Sequence, residues 1–415
     1  MSEKRKKKLS KQEKEEKLKE LKRQLARRRN IAISVIILVA LVVFAYFIFF
    51  QGKDPHDIPP QLTVLPGFQV NIFADRLSWF GINIFGLEPG PRMMYVYDAW
   101  LLVAVPKAGK VYALKDIDND GVSDQRIVLI SGLDNPHSVA SYKDWIYIAE
   151  EDQVIRVKWD GSPAPADVKT KEVIIQDLPS GGAHTTRTIT IHDDQLYVSI
   201  GSSCNDCVED DVRRASVIQC ELDRDVCDPF ATGLRNAVGL VWEDDMLFAT
   251  DNGRDWLGDD FPPDEINILK KNTNYGWPYC HGRNEPDPDL GTKEYCDGMA
   301  LPAFDIQAHS APLGLTFYYG NQFPSEYRGD LFVAYHGSWN RKIPTGYKVV
   351  RVFVDTLNNR TRLVGVEDFV SGWLTKNGDV IGRPVDVINW IDGSLLISDD
   401  KAGVIYRVSY SGETV

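Results

Sequence analysis

Residues Gly233–Trp256 read G-L-R-N-A-V-G-L-V-W-E-D-D-M-L-F-A-T-D-N-G-R-D-W. After a Gly/Asp/Pro-rich loop the chain resumes at Asp264–Pro278 as D-E-I-N-I-L-K-K-N-T-N-Y-G-W-P. Three short runs in this stretch, Gly239–Trp242, Met246–Thr250 and Glu265–Leu269, have strand composition and are separated by turn residues. The turns carry Arg235, Asn236, Asp251, Asn252 and Gly253, so short hydrophobic strands support loops that present charged and amide groups.

The core of the stretch, L-F-A-T-D at Leu247, has relatives along the chain. Polar or turn residues, then two bulky apolar residues, then small or β-branched ones recur at Leu101 (L-L-V-A-V), Ile146 (I-Y-I-A-E), Leu196 (L-Y-V-S-I), Leu331 (L-F-V-A-Y) and Leu395 (L-L-I-S-D). The six copies are spaced by 45, 50, 51, 84 and 64 residues. Most have a strand-like run before them and another after them. Three visible strands per unit at this period imply an all-β, six-bladed propeller whose fourth strands are less regular. The long fourth interval implies an inserted loop at about 270–310, within residues 62–415 as the propeller.

A propeller gathers the segments before its repeated strand pairs at one end of a central channel. Those segments are Asp134–His137, Gly181–Arg187, Gly233–Asn236, Ala308–Leu313 and Gly382–Pro384. His184, after a Gly pair, has the imidazole that suits a base near neutral pH, or is a turn histidine bonded to backbone. Arg235 and Asn236 suit a flat ligand rich in carboxylate and carbonyl oxygens, or a blade-to-blade salt bridge. Asp251-Asn252-Gly253-Arg254 leads into an acidic loop whose hard oxygens suit Ca2+, or are simply solvated. His336-Gly337-Ser338-Trp339-Asn340-Arg341 brings His, Trp and Arg together after the fifth copy. Asp116, Asp118, Asp120 and Asp124 form the first half of an EF-hand-type loop with Ile127 where its last acidic ligand would stand; they read as a peripheral Ca2+ turn or a bare Asp/Gly loop.

Charge divides the 415-residue chain. Residues 1–30 hold 14 Lys/Arg against 5 Glu, a net +9, while the remainder carries 33 basic and 54 acidic residues, a net −21. Between them Ile31–Phe50 has no charge, and at about 1.5 Å per residue it spans the roughly 30 Å core of a bilayer. Arg27, Arg28 and Arg29 abut it, so the positive-inside rule predicts a single-pass signal anchor with residues 1–30 as a basic helical cytoplasmic tail. Residues 51–61 are then a linker, and the propeller is extracytoplasmic. The tail can bind anionic lipid or nucleic acid, or be a solvated helix that sets topology. The acidic body repels nucleic acid. Six cysteines beyond the span fit an oxidising compartment. Their spacing suggests Cys204–Cys207, Cys220–Cys227 and Cys280–Cys296, among fifteen possible pairings, with zinc at Cys204/Cys207/Cys220/Cys227 as the alternative. No nucleophile elbow, P-loop or dinucleotide fingerprint is present.

From about Leu65 to Val408 the chain resembles the pyrroloquinoline quinone (PQQ)-dependent sugar dehydrogenases, closest to their sorbosone-dehydrogenase-like branch. The resemblance rests on P-G-F-Q-V at Pro66–Val70, G-L-R-N-A-V-G-L, D-E-I-N-I-L with N-Y-G-W-P, Y-H-G-S-W-N-R at Tyr335–Arg341, and G-R-P-V-D-V at Gly382–Val387. It implies a propeller with PQQ over the channel beside Ca2+. It further implies His184 as general base toward the sugar hydroxyl, and Arg235 as the group stabilising negative charge on the reduced quinone oxygen. Asn236, Asn252, His336, Arg341, Arg383 and Asp399 are implied on the cofactor side, and the backbone carbonyls of Gly253 and Arg254 on the metal. Ser202 stands where soluble glucose dehydrogenases carry a carboxylate behind the base, and Val385 where they carry a second clamp arginine. The expected function is oxidation of a sugar or related alcohol or aldehyde, with electrons passed to a membrane quinone or a cytochrome. The rivals are a Ca2+-dependent propeller lactonase or esterase, and a cofactor-free extracellular binding propeller.

Overall fold

The computed structural model of the chain describes residues 16, 18–20, 22, 23, 25–27, 29, 30, 34, 62–75, 77, 90–357 and 360–412. Two compact units separate, Met1–Asp57 and Ile58–Val415. In the first, every described residue is helical. The expected span Ile31–Phe50, apart from Ser34, and the linker 51–61 lie outside the described residues. Among the described residues no helix is long and apolar enough to cross a membrane.

The second unit is a ring of six antiparallel blades. From the channel outward, blade 1 runs Met94–Tyr97, Trp100–Val105, Lys110–Lys115 and Gln125–Ser131. Blade 2 runs Ser138–Tyr142, Trp145–Ala149, Val154–Lys158 and Asp167–Ile175. Blade 3 comprises Ile189–His192, Gln195–Ile200, Ser216–Glu221 and Cys227–Thr232. Blade 4 comprises Ala237–Glu243, Met246–Asp251, Asp264–Leu269 and Phe304–Ile306. Blade 5 has Pro312–Phe317, Leu331–Tyr335, Lys348–Leu357 and Arg360–Ser371. Blade 6 takes Pro384–Asn389, Leu395–Asp399 and Val404–Tyr410 from the end of the chain, and its fourth strand, Phe68–Ala74, from the beginning. Phe68 lies opposite Tyr410 and Val70 opposite Val408, so the ring is latched by its own N-terminal strand.

Each repeated pentapeptide is the second strand of a blade. It is covered on both faces by neighbouring blades, which is why it reads as a continuous apolar run and is almost wholly buried. The core is accordingly divided into seams between adjacent blades, among them Leu102, Val111, Ile146 and Ile155 between blades 1 and 2, and Phe68, Phe332, Phe369 and Tyr406 between blades 5 and 6. A smaller group, Met93, Val238, Leu313 and Val385, comes from four blades and plugs the channel near one mouth. Val385, noted above at a clamp-arginine position, is part of this plug.

Between the third and fourth strands of blade 4 the chain makes a long excursion. Thr273–Asn274 pairs parallel to the outer strand of blade 3, and Gly233 has positive φ with no room for a Cβ beside Asn274. The excursion then folds around the Cys280–Cys296 disulfide. Cys204–Cys207 and Cys220–Cys227 complete the pairing, and no cysteine is free. The zinc alternative therefore lacks its thiolates.

Candidate active site

The segments that precede the inner strands and those that follow the second strands open on one face of the ring. The fifth residue of the repeat does the positioning there. Asp251 accepts the backbone N–H of Arg235 (3.0 Å) and Asn236 (2.7 Å). Asp399 accepts that of Arg383 (2.8 Å), and Glu150 that of Asp134 (2.5 Å). Hydroxyls at the fourth residue add to this. Thr250 accepts from Gly239 N–H, and Ser398 accepts from Asp386 N–H while donating to the Arg92 carbonyl. Asp264 fixes the next loop by accepting from Gly253 N–H and Ala311 N–H.

These loops surround a cavity of about 390 Å³ lined by Arg92, His184, Arg235, Asn236, Asn252, Gly253, Asp255, Asp264, His309, His336, Trp339, Asn340 and Arg383, among others. The His184 Nδ1–H donates to the Ser202 carbonyl (2.9 Å), with the Ser202 hydroxyl at 3.0 Å. That fixes the tautomer and leaves the Nε2 lone pair to accept a proton. Burial, aided by the Arg235 charge, lowers the imidazole to about 4, so it is neutral at pH 7. Gly201 lies so close behind that a Cβ there would sit 2.6 Å from the His184 Cβ and 2.7 Å from Asn236 Oδ1.

Arg235 spends four of its five N–H groups on protein: Nε to the Asn205 carbonyl (3.0 Å), one Nη1 hydrogen to the Asn252 carbonyl (3.2 Å), and Nη2 to Asn205 Oδ1 (2.9 Å) and Asp255 Oδ2 (3.0 Å). Arg383 donates to the His336 (3.1 Å) and Gly337 (2.5 Å) carbonyls and lies over the Tyr347 ring, and among the described residues no carboxylate forms an ion pair with it. His336 Nε2 faces Asp400 (3.0 Å), whose other oxygen pairs with Arg92 (2.7 Å). Burial lowers His336, and the contacts with His336 and the Arg92 guanidinium hold Asp400 far below the usual carboxylate range despite its burial. Arg92 was missed in sequence because it precedes the first repeat. It brings a guanidinium to the cavity from the segment before blade 1, while Val385 lies in the channel plug. Its Nε, like Asn340 Oδ1, is buried without a protein partner.

Other expected residues lie elsewhere. Arg341 does not line the cavity; it stitches two rim loops through Asp260 Oδ1 (2.7 Å) and the Asp259 and Ala308 carbonyls. Asp399 is fully buried behind the lip, a scaffold for Arg383, Lys401 and Ala402 amides. The Arg254 guanidinium points away into Asp206, Asp287 and Asp289, so that residue keeps only its backbone for a metal role. Asp116, Asp118 and Asp120 converge in a turn between the third and fourth strands of blade 1, on the face opposite the cavity, and Asp124 binds Ile117 N–H outside that group. Asp116 already accepts from Asn119 and Gly121 N–H. Among the described residues, no three His, Cys, Asp or Glu side chains converge on an ion position in the cavity itself.

The glucose/sorbosone dehydrogenase family model matches residues 140–338, and a TrAA12-like model matches 290–411. An uncharacterised protein of Borreliella burgdorferi is 34% identical over 292 residues, covering 67% of this chain and 76% of that protein. A PQQ-dependent pyranose dehydrogenase of Coprinopsis cinerea is 31% identical over 141 residues, 28% of this chain and 18% of that protein. The holo structure of its PQQ domain superposes with a TM-score of 0.70 at 20% identity, covering 85% of this chain and 98% of that one. A calcium structure of a Trichoderma reesei family AA12 carbohydrate-active enzyme gives 0.71 at 20% identity, covering 86% and 100%. The matched segment runs from blade 2 into blade 5, and the chain belongs to the glucose/sorbosone dehydrogenase family.

Proposed function

We propose that this protein uses PQQ and Ca2+ to oxidise a sugar or related alcohol or aldehyde, outside the cytoplasm and anchored by Ile31–Phe50, and passes the electrons to a membrane quinone or a cytochrome. The observation that carries the reading is one cavity in which a neutral imidazole faces guanidinium groups from blades 1, 4 and 6. Of the three guanidinium groups, Arg92 and Arg235 pair with Asp400 and Asp255 while Arg383 has no ion pair among the described residues, which suits a planar anion, and the Arg92 Nε and Asn340 Oδ1, buried without a partner among the described residues, suit a polar ligand. A lactonase built on a channel metal needs converging carboxylates, and among the described residues no three come together at this cavity.

A bound PQQ would supply the oxidising ortho-quinone that takes up hydride. Arg92, Arg383 and His336 would hold its carboxylates, with Asn236 and Asn252 as further polar contacts. Asn252 uses its Nδ2–H on the Pro312 carbonyl, which leaves its Oδ1 for a cation together with the carbonyls of Gly253 and Arg254. His184 Nε2 takes the proton from the substrate hydroxyl, and Ser202 keeps the ring oriented while it does so. Arg235, held rigidly with one Nη1 hydrogen unspent, places fixed positive charge where negative charge develops. Trp339, exposed at the rim, gives the mouth an aromatic wall.

Titrating full-length protein with PQQ and excess Ca2+, followed by an aldose panel with an artificial electron acceptor, tests the reading. Saturable binding, a raised thermal midpoint and dye reduction lost in His184→Ala are expected. Absence of PQQ binding overturns it. Retention in the membrane pellet after an alkaline wash, abolished by deleting residues 1–52, tests the anchor.

A further inference from the structure

The smallest disulfide loop lies beside this site. Cys204 and Cys207 enclose only Asn205 and Asp206, in the segment that follows the second strand of blade 3. A bridge across so short a loop removes little chain entropy from the unfolded protein, so its consequence is local geometry.

That geometry is occupied in full. The Asn205 carbonyl accepts from Arg235 Nε (3.0 Å), and its Oδ1 accepts from Arg235 Nη2 (2.9 Å) and from Asp255 N–H (2.8 Å). Its Nδ2 donates to the Asp255 carbonyl at 3.1 Å. Asn205 thus grips both Arg235 and the residue whose carboxylate pairs with Arg235. Asp206 reaches Arg254 Nη2 at 2.5 Å. On the other side the Cys204 carbonyl accepts the Ser202 hydroxyl (2.7 Å), which stands behind His184. Asn205 does not line the cavity. It touches the arginine from behind.

We propose that Asn205, clamped by the Cys204–Cys207 disulfide, is the positioning residue that sets the Arg235 guanidinium for the anionic ligand and for the oxidation step. The inference rests on the dehydrogenase reading above for its kinetic consequence, but the clamp itself is independent of that reading. Without the Asn205 amide, Arg235 loses one Nη2 partner and Asp255 loses both of its links to the loop. The guanidinium then keeps its Nε–H on the Asn205 main-chain carbonyl but is free to turn at its Nη2 end together with the Asp255 carboxylate. Aspartate at this position keeps an acceptor for Arg235, now a charged one, and for Asp255 N–H, and replaces the Nδ2–H by an oxygen that faces the Asp255 carbonyl.

The test uses full-length protein as wild type, Asn205→Ala, Asn205→Asp and Cys204→Ala/Cys207→Ala. In the protein without cofactor, solvent exchange of the Arg235 Nη2 hydrogens is read by nitrogen-15 NMR. With PQQ and Ca2+ added, the PQQ Kd and then kcat and KM for an aldose are measured. Asn205→Ala is expected to speed exchange of the Arg235 Nη2 hydrogens, whose Oδ1 partner it removes, weaken PQQ and lower kcat by about tenfold each while KM moves by less than about twofold, the scale of a lost charge-assisted hydrogen bond. Asn205→Asp should recover most of both losses, and the double cysteine variant should resemble Asn205→Ala. Exchange, Kd and kcat unchanged in Asn205→Ala overturn the inference, as does an Asn205→Asp protein as impaired as Asn205→Ala. Should wild type bind no PQQ, the dehydrogenase reading fails and the exchange measurement alone decides the clamp.

Discussion

Burial and the neighbouring Arg235 charge hold His184 near pKa 4, and its Nδ1–H is committed to the Ser202 carbonyl. A base lowered this far is unprotonated well below neutrality, so kcat/KM should stay level on the acid side down to about pH 5 and fall only toward pH 4. An acid limb near pH 6.5 in the pH–rate profile would contradict this. His184→Ala should lower turnover by about 10²–10⁴-fold while leaving PQQ binding intact. Gly201→Ala pushes a methyl group into His184 and Asn236, and should cost turnover in the same assay although it adds no charge and removes no hydrogen bond. His184 and Arg235 were legible in sequence because each sits at a lip next to a repeat. Arg92 was not, although it stands two residues before the inner strand Met94–Tyr97 as Arg235 does before Ala237–Glu243, because no strand-like run was read ahead of the first repeat. Arg92→Gln should weaken PQQ by about tenfold or more, the scale of a charge-assisted contact, and that measurement separates a ligand contact from a structural ion pair with Asp400.

At the scale of elements, the repeat announced six second strands because strands buried on both faces must be apolar throughout. Outer strands such as Asp167–Ile175 are exposed over most of their length and carry no such constraint, so the fourth strands were faint. The latch was fainter still. Phe68–Ala74 pairs with residues more than 300 positions away, a contact no local pattern announces. Its anchor is Phe68, whose ring lies 4.8–5.1 Å from Phe323, Tyr327, Phe369 and Tyr410 in edge-on contacts. Phe68→Ala removes that ring from the seam between blades 5 and 6 and should destabilise the protein by about 3–5 kcal/mol in denaturant unfolding. The fifth-position carboxylates show a different limit. Asp251 read as a loop or ligand residue and Asp399 as a cofactor-side one, whereas these two, like Glu150, are buried at a strand end and serve backbone amides.

For the molecule as a whole, the buried groups that titrate away from their ordinary values pull stability in opposite directions with pH. Burial lowers His137, His184, His281 and His336, so their contribution is present above the unfolded histidine value of about 6.5 and is lost as pH falls toward their folded values. Burial raises Asp386 and Asp399 to about 7 and Glu265 to about 8, so their contribution is full below the ordinary carboxylate range and is lost as pH rises through those values. The two sets oppose each other below about pH 6.5; above it only the carboxylates still change, and stability should decline from there to about pH 8.5. Glu265 offers the sharpest test. One of its oxygens accepts Gly282 N–H (2.9 Å) and the other faces Asn267, whose own Oδ1 is buried without a partner. A neutral amide at position 265 keeps an acceptor for Gly282 and, with the Asn267 amide turned over, donates to that orphaned oxygen. Glu265→Gln should therefore raise the thermal midpoint at pH 8.5, leave it nearly unchanged at pH 6, and flatten the decline between them. Equal shifts at both pH values would mean that Glu265 is ionised throughout and that the decline arises elsewhere in the ring.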